Sequence, residues 1–230
     1  MKWFRLAADQ GDAKAQYNLG NMYRTGQGVT QDDVQAVKWF RLAADQGYAP
    51  AQYNLGKMYE IGRGVTQDDA QAVKWTRLAA DQGDAKAQYN LGVAYDIGQG
   101  VPQDDAQAMK WFRLAADQGS AKAQFNLGLM YANGQGVPQD DAQAVKWFRL
   151  AADQGYAYAR YSLGVMYEHG QGVPQDDVQA HMWFNLAAAQ GDENRDRVEK
   201  NMTSQQIAQA QELARNWKPK IYLLKRPPQG

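Results

Sequence analysis

The chain has 230 residues, with 25 basic and 25 acidic side chains, no net charge and no cysteine. Balanced charge removes the electrostatic footprint of a nucleic-acid or anionic-membrane binder, and the lack of cysteine excludes disulfides and thiolate sites while leaving the redox compartment open. No apolar run approaches the ~20 residues of a membrane helix. The opening Met-Lys-Trp-Phe-Arg-Leu-Ala-Ala-Asp lacks the apolar centre of a secretory signal, so the compartment stays unassigned.

A period of 36 residues organises everything that follows. Trp3, Trp39, Trp75, Trp111, Trp147 and Trp183 are evenly spaced, as are Gly11, Gly47, Gly83, Gly119, Gly155 and Gly191. A period of this length marks a solenoid whose units bury their apolar faces against their neighbours. Met1 falls on the column of Val37 and Val73, the middle of a unit, so residues 1–11 read as a half repeat. Full repeats follow at 12–47, 48–83, 84–119, 120–155 and 156–191.

Each period predicts two helices. In the unit at 120–155 the first runs from Ser120 to about Ala132, with Ala123, Leu127, Met130 and Tyr131 on one helical stripe. Gly128 is glycine in every full copy, and a mid-helix glycine at a cost of up to about 1 kcal/mol points to close approach of another helix. Gly134 is placed to terminate that helix in the left-handed conformation, and Pro138 cannot continue it. Asp140 or Asp141 caps the second helix, which carries Ala144, Trp147, Phe148, Leu150, Ala151 and Ala152 and stops at Gly155. The Lys38/Arg41/Asp45 pattern reads as a solvated face with i,i+4 pairing. Thr76 stands where other copies have Phe, and Ala94 where they have Met, so the middle of the array is expected to be soft.

These residues carry a resemblance. The pattern A-x-A-Q-x-x-L-G-x-x-Y-x-x-G-x-G-V-x-x-D-x-x-x-A-x-x-W-F-x-x-A-A-x-Q-G over residues 1–191 resembles the Sel1-like repeat, a relative of the tetratricopeptide repeat that shares its L-G-x-x-Y core. The resemblance implies an all-α fold, a right-handed superhelix of antiparallel helix pairs, and work as an adaptor or scaffold in a family whose bacterial members are often exported.

After Gly191 the pattern decays, with Arg195 and Glu199 at the positions of Ala15 and Leu19, so 193–201 reads as a polar helix. Thr203-Ser-Gln-Gln206 is a capping box that opens a helix to about Trp217, with Ile207, Ala210, Gln211, Leu213, Ala214 and Trp217 on its apolar face. Residues 192–217 thus form a polar cap on a single solenoid spanning 1–217. Residues 218–230 read as a tail in which Ile221-Tyr-Leu-Leu224 is an apolar island.

Nothing assembles a catalytic set, a metal site or a cofactor site. The recurrent Gly-x-Gly-Val follows a helix rather than a strand and lacks the third glycine of a phosphate cradle. Paired aspartates such as Asp68-Asp69 diverge at a helix start and read as caps rather than calcium ligands. His169 and His181 are the only histidines, and no nucleophile–base pair accompanies them. Trp beside Phe in one stripe reads as core rather than a ligand cage.

The remaining candidate is the concave face that first helices line in such solenoids. One column reads Asn18, Asn54, Asn90, Asn126 and Ser162. Its carboxamides either meet an extended peptide backbone or form a helix-to-helix ladder. The next columns, Asn21, Lys57, Val93, Leu129, Val165 and Thr25, Ile61, Ile97, Asn133, His169, are where near-identical copies differ. A strip of Ile61, Val93, Ile97 and Leu129 marks a contact surface. The expected function is binding of a protein or peptide partner through Asn54, Asn90, Asn126, Lys57, Ile61, Val93, Ile97, Leu129 and Val165. The alternative is a structural module that self-associates through its ends, using Trp3, Phe4, Leu6 and Ala7 of the half repeat, alone or with the Ile221–Leu224 island.

Overall fold

Regularly spaced caps cut the chain into short helices of nearly constant length. The computed structural model describes residues 2–187 and 191–218, and among these are thirteen α-helices and no strand. After α1 (Lys2–Asp9) come the first helices of each pair, α2 (Ala13–Thr25), α4 (Ala49–Ile61), α6 (Ala85–Ile97), α8 (Ala121–Asn133) and α10 (Ala157–His169). They alternate with the second helices α3 (Asp33–Asp45), α5 (Asp69–Asp81), α7 (Asp105–Asp117), α9 (Asp141–Asp153) and α11 (Asp177–Leu186). Two further helices follow, α12 (Asp192–Glu199) and α13 (Ser204–Asn216). The chain divides into two compact units, Met1–Trp111 and Phe112–Gly230, with α7 contributing to both.

The local signals act as the sequence predicts. Gly134 closes α8 at φ 68°, where an L side chain is strained, and its N–H returns to Met130 O. Of each aspartate pair it is the first that caps: Asp140 accepts from Gln143 N at 2.9 Å, and Asp32 and Asp68 do the same for α3 and α5. The second aspartate reaches elsewhere, Asp33 to Arg63 at 2.6 Å and Asp69 to Gln99 at 3.2 Å.

In the first unit, Ala36, Val37, Phe40, Ala43 and Ala44 of α3 pack with Ala51, Leu55 and Met58 of α4 and receive Trp75 from α5. Trp39 likewise reaches back to Ala8, Ala15 and Leu19. The second unit repeats the scheme with Ala144, Phe148 and Ala151 of α9, Leu163 and Met166 of α10, and Trp183 of α11. Tryptophan therefore joins each helix pair to the one before it. The mid-helix glycines admit a ring: a Cβ on Gly128 would lie 2.5 Å from the Phe148 ring, and one on Gly20 would lie 2.6 Å from Phe40. The close approach expected at Gly128 is thus a phenylalanine face laid on a helix backbone.

A polar relay runs through this apolar packing. Gln16, Gln52, Gln88 and Gln124 are each 4–5% exposed. Their amides donate at 3.1–3.2 Å to the C-terminal carbonyls of the preceding second helix, at Ala8, Ala44, Ala80 and Ala116. The same side chains accept from the glutamine that ends the next second helix: Gln46 donates to Gln16 at 2.8 Å, and Gln82 to Gln52 and Gln154 to Gln124 at 2.7 Å. Helix C-termini leave four carbonyls without intrahelical partners, and the relay supplies one of them in each unit.

Several expectations need correction. The arginine column is not simply solvated: Arg5, Arg41, Arg77 and Arg149 donate to the phenols of Tyr23, Tyr59, Tyr95 and Tyr167, each 18 residues on. A guanidinium that can lie along a ring and reach its hydroxyl gains more there than in water. Leu150 is only half-buried, and Leu42, Leu78 and Leu114 are 39–40% exposed, because the tryptophan side of the helix faces the core. The capping box of Thr203 and Gln206 is present in full, yet Gln211 and Leu213 of α13 are exposed while Ala210 is buried. The polar helix α12 buries Val198 against Ala180 and Phe184, and beside it the fully buried His181 lies 2.6 Å from Glu199. The side chain of Trp3 and the Ile221–Leu224 island lie outside the described residues; Phe4 and Leu6 are 46% and 51% exposed.

At the last pair Arg160 takes the glutamine position. It donates to Ala152 O at 3.3 Å and Leu186 O at 2.8 Å and lies 4.4 Å from the Trp217 ring centroid. Burial pulls its guanidinium below the ordinary value and Asp153 opposes that. Trp217 in turn meets Trp183 edge-on at 6.1 Å. Arg160→Gln is expected to cost about 1–2 kcal/mol, the scale of one charged hydrogen bond and one cation–π contact. Amide exchange in Ser204–Asn216 should accelerate roughly tenfold, with α2 to α4 unchanged.

Candidate functional site

Helical spacing places the candidate residues on one stripe of each first helix, since positions three or four apart share a face. In the first unit, Asn54, Lys57 and Ile61 lie along α4, and Asn90, Val93 and Ile97 lie along α6. In the second unit, Asn126 and Leu129 lie on α8 and Val165 on α10. Burial then separates them. Ile61 and Ile97 are 57% and 62% exposed. Val93, Leu129 and Val165 are half-buried, and Leu129 and Val165 pack against the core beneath them. The apolar strip therefore ends in two open isoleucines at equivalent C-terminal positions of α4 and α6.

The carboxamides are partly used within the protein. Asn54 donates to Asn21 Oδ1 at 3.4 Å and Asn90 to the Tyr53 hydroxyl at 3.3 Å. Both bonds run to the preceding first helix, so a ladder exists, and each uses one of the two N–H donors of its carboxamide. Lys57 pairs with Glu60 at 2.7 Å, both partners being about one-third exposed. Such a pair is worth at most ~1 kcal/mol and yields easily to another partner. Sequence reasoning missed the Tyr53 contact and the buried relay. The signal for the relay was present in the two glutamines of the repeat pattern, which polar composition alone does not place in a core.

Between α4, α5 and α6 the packing is incomplete. Thr76 replaces the ring that elsewhere covers the mid-helix glycine, and its hydroxyl would lie 2.6 Å from a Cβ on Gly56. Ala94, from α6, faces the same place. The result is a cavity of about 60 Å³ lined by Ala72, Val73, Thr76, Leu91, Val93 and Ala94, with Glu60, Asp69, Asn90 and Gln99 also on its wall. A cavity thus lies where the sequence leads one to expect a soft point.

Among the described residues no group of three or more acidic or histidine side chains forms a metal-binding cluster, and no helix is long and apolar enough to cross a membrane.

With this geometry in place, relatives can be compared. The Sel1 repeat model matches residues 1–12, 13–48, 49–84, 85–120, 121–156 and 157–192. The chain belongs to the Sel1 repeat family. It is 40% identical to a protective antigen of uropathogenic Escherichia coli strains that displays the same fold, with a TM-score of 0.86 over 94% of this chain. The match takes in 47% of that antigen, so the chain spans about half its length. A Sel1 repeat protein from Oxalobacter formigenes is 32% identical over 89% of this chain and 88% of its own, with a TM-score of 0.79. One from Klebsiella pneumoniae is 28% identical over 86% and 98%, with a TM-score of 0.50. No curated protein matches the sequence.

Two stability effects follow. Thr76→Phe with Ala94→Met refills the cavity with the side chains of sister repeats and should add about 1–3 kcal/mol to unfolding in denaturant. Amide exchange at residues 75–95 should slow in the double variant. Separately, burial, with Asp105 adding repulsion, raises the Asp96 carboxyl above its ordinary value of 3.8. The folded chain then binds that proton more tightly than the unfolded chain, and stability falls as pH rises through the raised value. Asp96→Asn should therefore stabilise the protein at pH 7 by a few tenths of a kcal/mol after solvent screening. The gain should shrink as pH falls through the raised value and vanish below the ordinary 3.8, which melts at several pH values will read.

Proposed function

We propose that the chain is a non-catalytic binding scaffold that takes a protein or peptide partner on the stripes of its first helices. The observation that carries this reading is the pair Ile61 and Ile97, more than half exposed at equivalent positions of successive first helices. Isolated exposed apolar residues are ordinary, but two in register beside carboxamide oxygens and an easily diverted ion pair make a surface with both anchor and hydrogen-bonding chemistry. Asn54 and Asn90 accept from backbone N–H groups of the partner, Lys57 offers a charge, and Val93 continues the apolar strip. In the second unit Asn126, Leu129 and Val165 form the corresponding, shallower strip. Membership of a family of interaction repeats, and the zero net charge, favour a protein partner over a polyanion.

The test uses a random displayed peptide library selected on the immobilised full chain. Ile61→Asp with Ile97→Asp should leave helicity and melting nearly unchanged, since exposed substitutions fall within about 0.5 kcal/mol. It should weaken the selected peptides by roughly tenfold or more. Retained binding in a normally folded double variant sinks the reading for this stripe.

A further inference from the structure

The cavity between α4, α5 and α6 is open at its mouth, and its position bears on what the surface binds. Two substitutions made it. Where sister units place a phenylalanine against the mid-helix glycine, this one has Thr76 against Gly56. Where they place a methionine of the following first helix, it has Ala94. In the first unit Met58 packs with Phe40 in the core cluster, so the two residue types belong to one contact, and both are truncated here. Either loss alone is a small packing defect. Their convergence leaves a single void whose missing contents are known from the neighbouring copies.

We propose that this cavity is an anchor pocket for one aliphatic side chain, leucine or methionine, of a bound peptide. The proposal rests on the binding surface described above and names the partner side chain it selects. Size supports it. A cavity needs about 10–15 Å³ on this scale to hold one water, so about 60 Å³ takes roughly four or five non-hydrogen atoms. That is the side chain of leucine or methionine, and short of an aromatic ring.

Chemistry supports it as well. Ala72, Val73, Leu91, Val93 and Ala94 supply the apolar half of the lining, beside Thr76. The polar groups Asn90, Glu60, Asp69 and Gln99 belong to the same wall, and acceptors among them suit the backbone N–H groups flanking an inserted side chain. Asn90 gives one N–H to Tyr53, and its side-chain oxygen is an acceptor. Finally, Asn90 and Val93 belong both to the pocket and to the exposed stripe that ends in Ile97, so pocket and surface are continuous.

The probes are N-acetyl-leucine methylamide and N-acetyl-methionine methylamide, titrated onto the isotope-labelled full chain and followed by backbone amide shifts. Both should give saturating shifts confined to residues 72–76 and 90–94, with affinity in the millimolar range. The glycine analogue should bind at least roughly tenfold more weakly. Thr76→Phe and, independently, Ala94→Met should abolish the shifts while the fold is kept, because each restores a side chain already accommodated in sister units.

Shifts that are equal for the glycine analogue, absent for all three probes, or preserved in both filled variants overturn the pocket. The peptides selected on the chain separate this result from the surface reading. If they are lost in Ile61→Asp/Ile97→Asp but kept in both filled variants, the surface stands and the pocket falls. If the probes bind and are displaced by filling while the isoleucine variant keeps its peptides, the pocket stands and the surface falls.

Discussion

The buried glutamine of the first four first helices, α2, α4, α6 and α8, is the contact on which the repeat depends. A helix C-terminus enclosed by packing needs partners for its last carbonyls, and an unmet one costs about 1–3 kcal/mol. Here Gln16, Gln52, Gln88 and Gln124 meet one carbonyl each while held at 4–5% exposure. Because the amide must also accept from the glutamine ending the next second helix, loop length, helix length and register are tied together. A carboxamide can do this where an ammonium, a guanidinium or a carboxylate cannot, since it both donates and accepts. The large apolar residues then stack in the order that the relay allows: tryptophan backward onto the previous pair, phenylalanine onto a bare stretch of helix at glycine.

Against that constancy, the few places where copies differ acquire meaning. Core columns demand sameness because each side chain packs against neighbouring helices that are themselves copies. Thr76 and Ala94 break that rule together, on facing helices, at a point that communicates with the surface. Ile61 and Ile97 break the polar rule of an exposed column, again in the same unit. Differences of this kind weaken an array slightly. His181 illustrates the other kind of exception. Its departure from the valine of its column is matched by Glu199 on α12 at 2.6 Å, so it belongs to the joint between repeat and cap.

The fold was legible because its signals are local and repeated. The Asp caps, the left-handed glycines and the Thr203/Gln206 box each state a backbone conformation in the sequence, and five copies of one pattern remove the ambiguity of any single copy. What stayed illegible depends on distance rather than pattern. Nothing in the sequence of Gln52 says that it is buried, because its partners are eight residues back at Ala44 and 30 residues on at Gln82. Arg41 reads as surface until Tyr59 is brought beneath it. For the candidate stripe, periodicity gave the membership, whereas the burial that separates Ile61 and Ile97 from Leu129 and Val165 comes from packing beneath the helix.

The glutamine relay has a direction. The glutamine of each such unit donates to an alanine carbonyl of the one before it, and the unit's own alanine carbonyl receives the glutamine of the one after it, so a copied unit arrives with both faces already matched to its neighbours. Duplication or loss of whole units at the level of the gene therefore changes the length of the molecule without requiring any new joint to evolve. Arg160 ends that freedom. It keeps the donation to Ala152 of the unit before it, and its further hold on Leu186 and Trp217 commits its own unit to the cap. Lineages that lengthen or shorten this protein should do so among the units ahead of Arg160, carrying the last pair and its cap along as one inherited block.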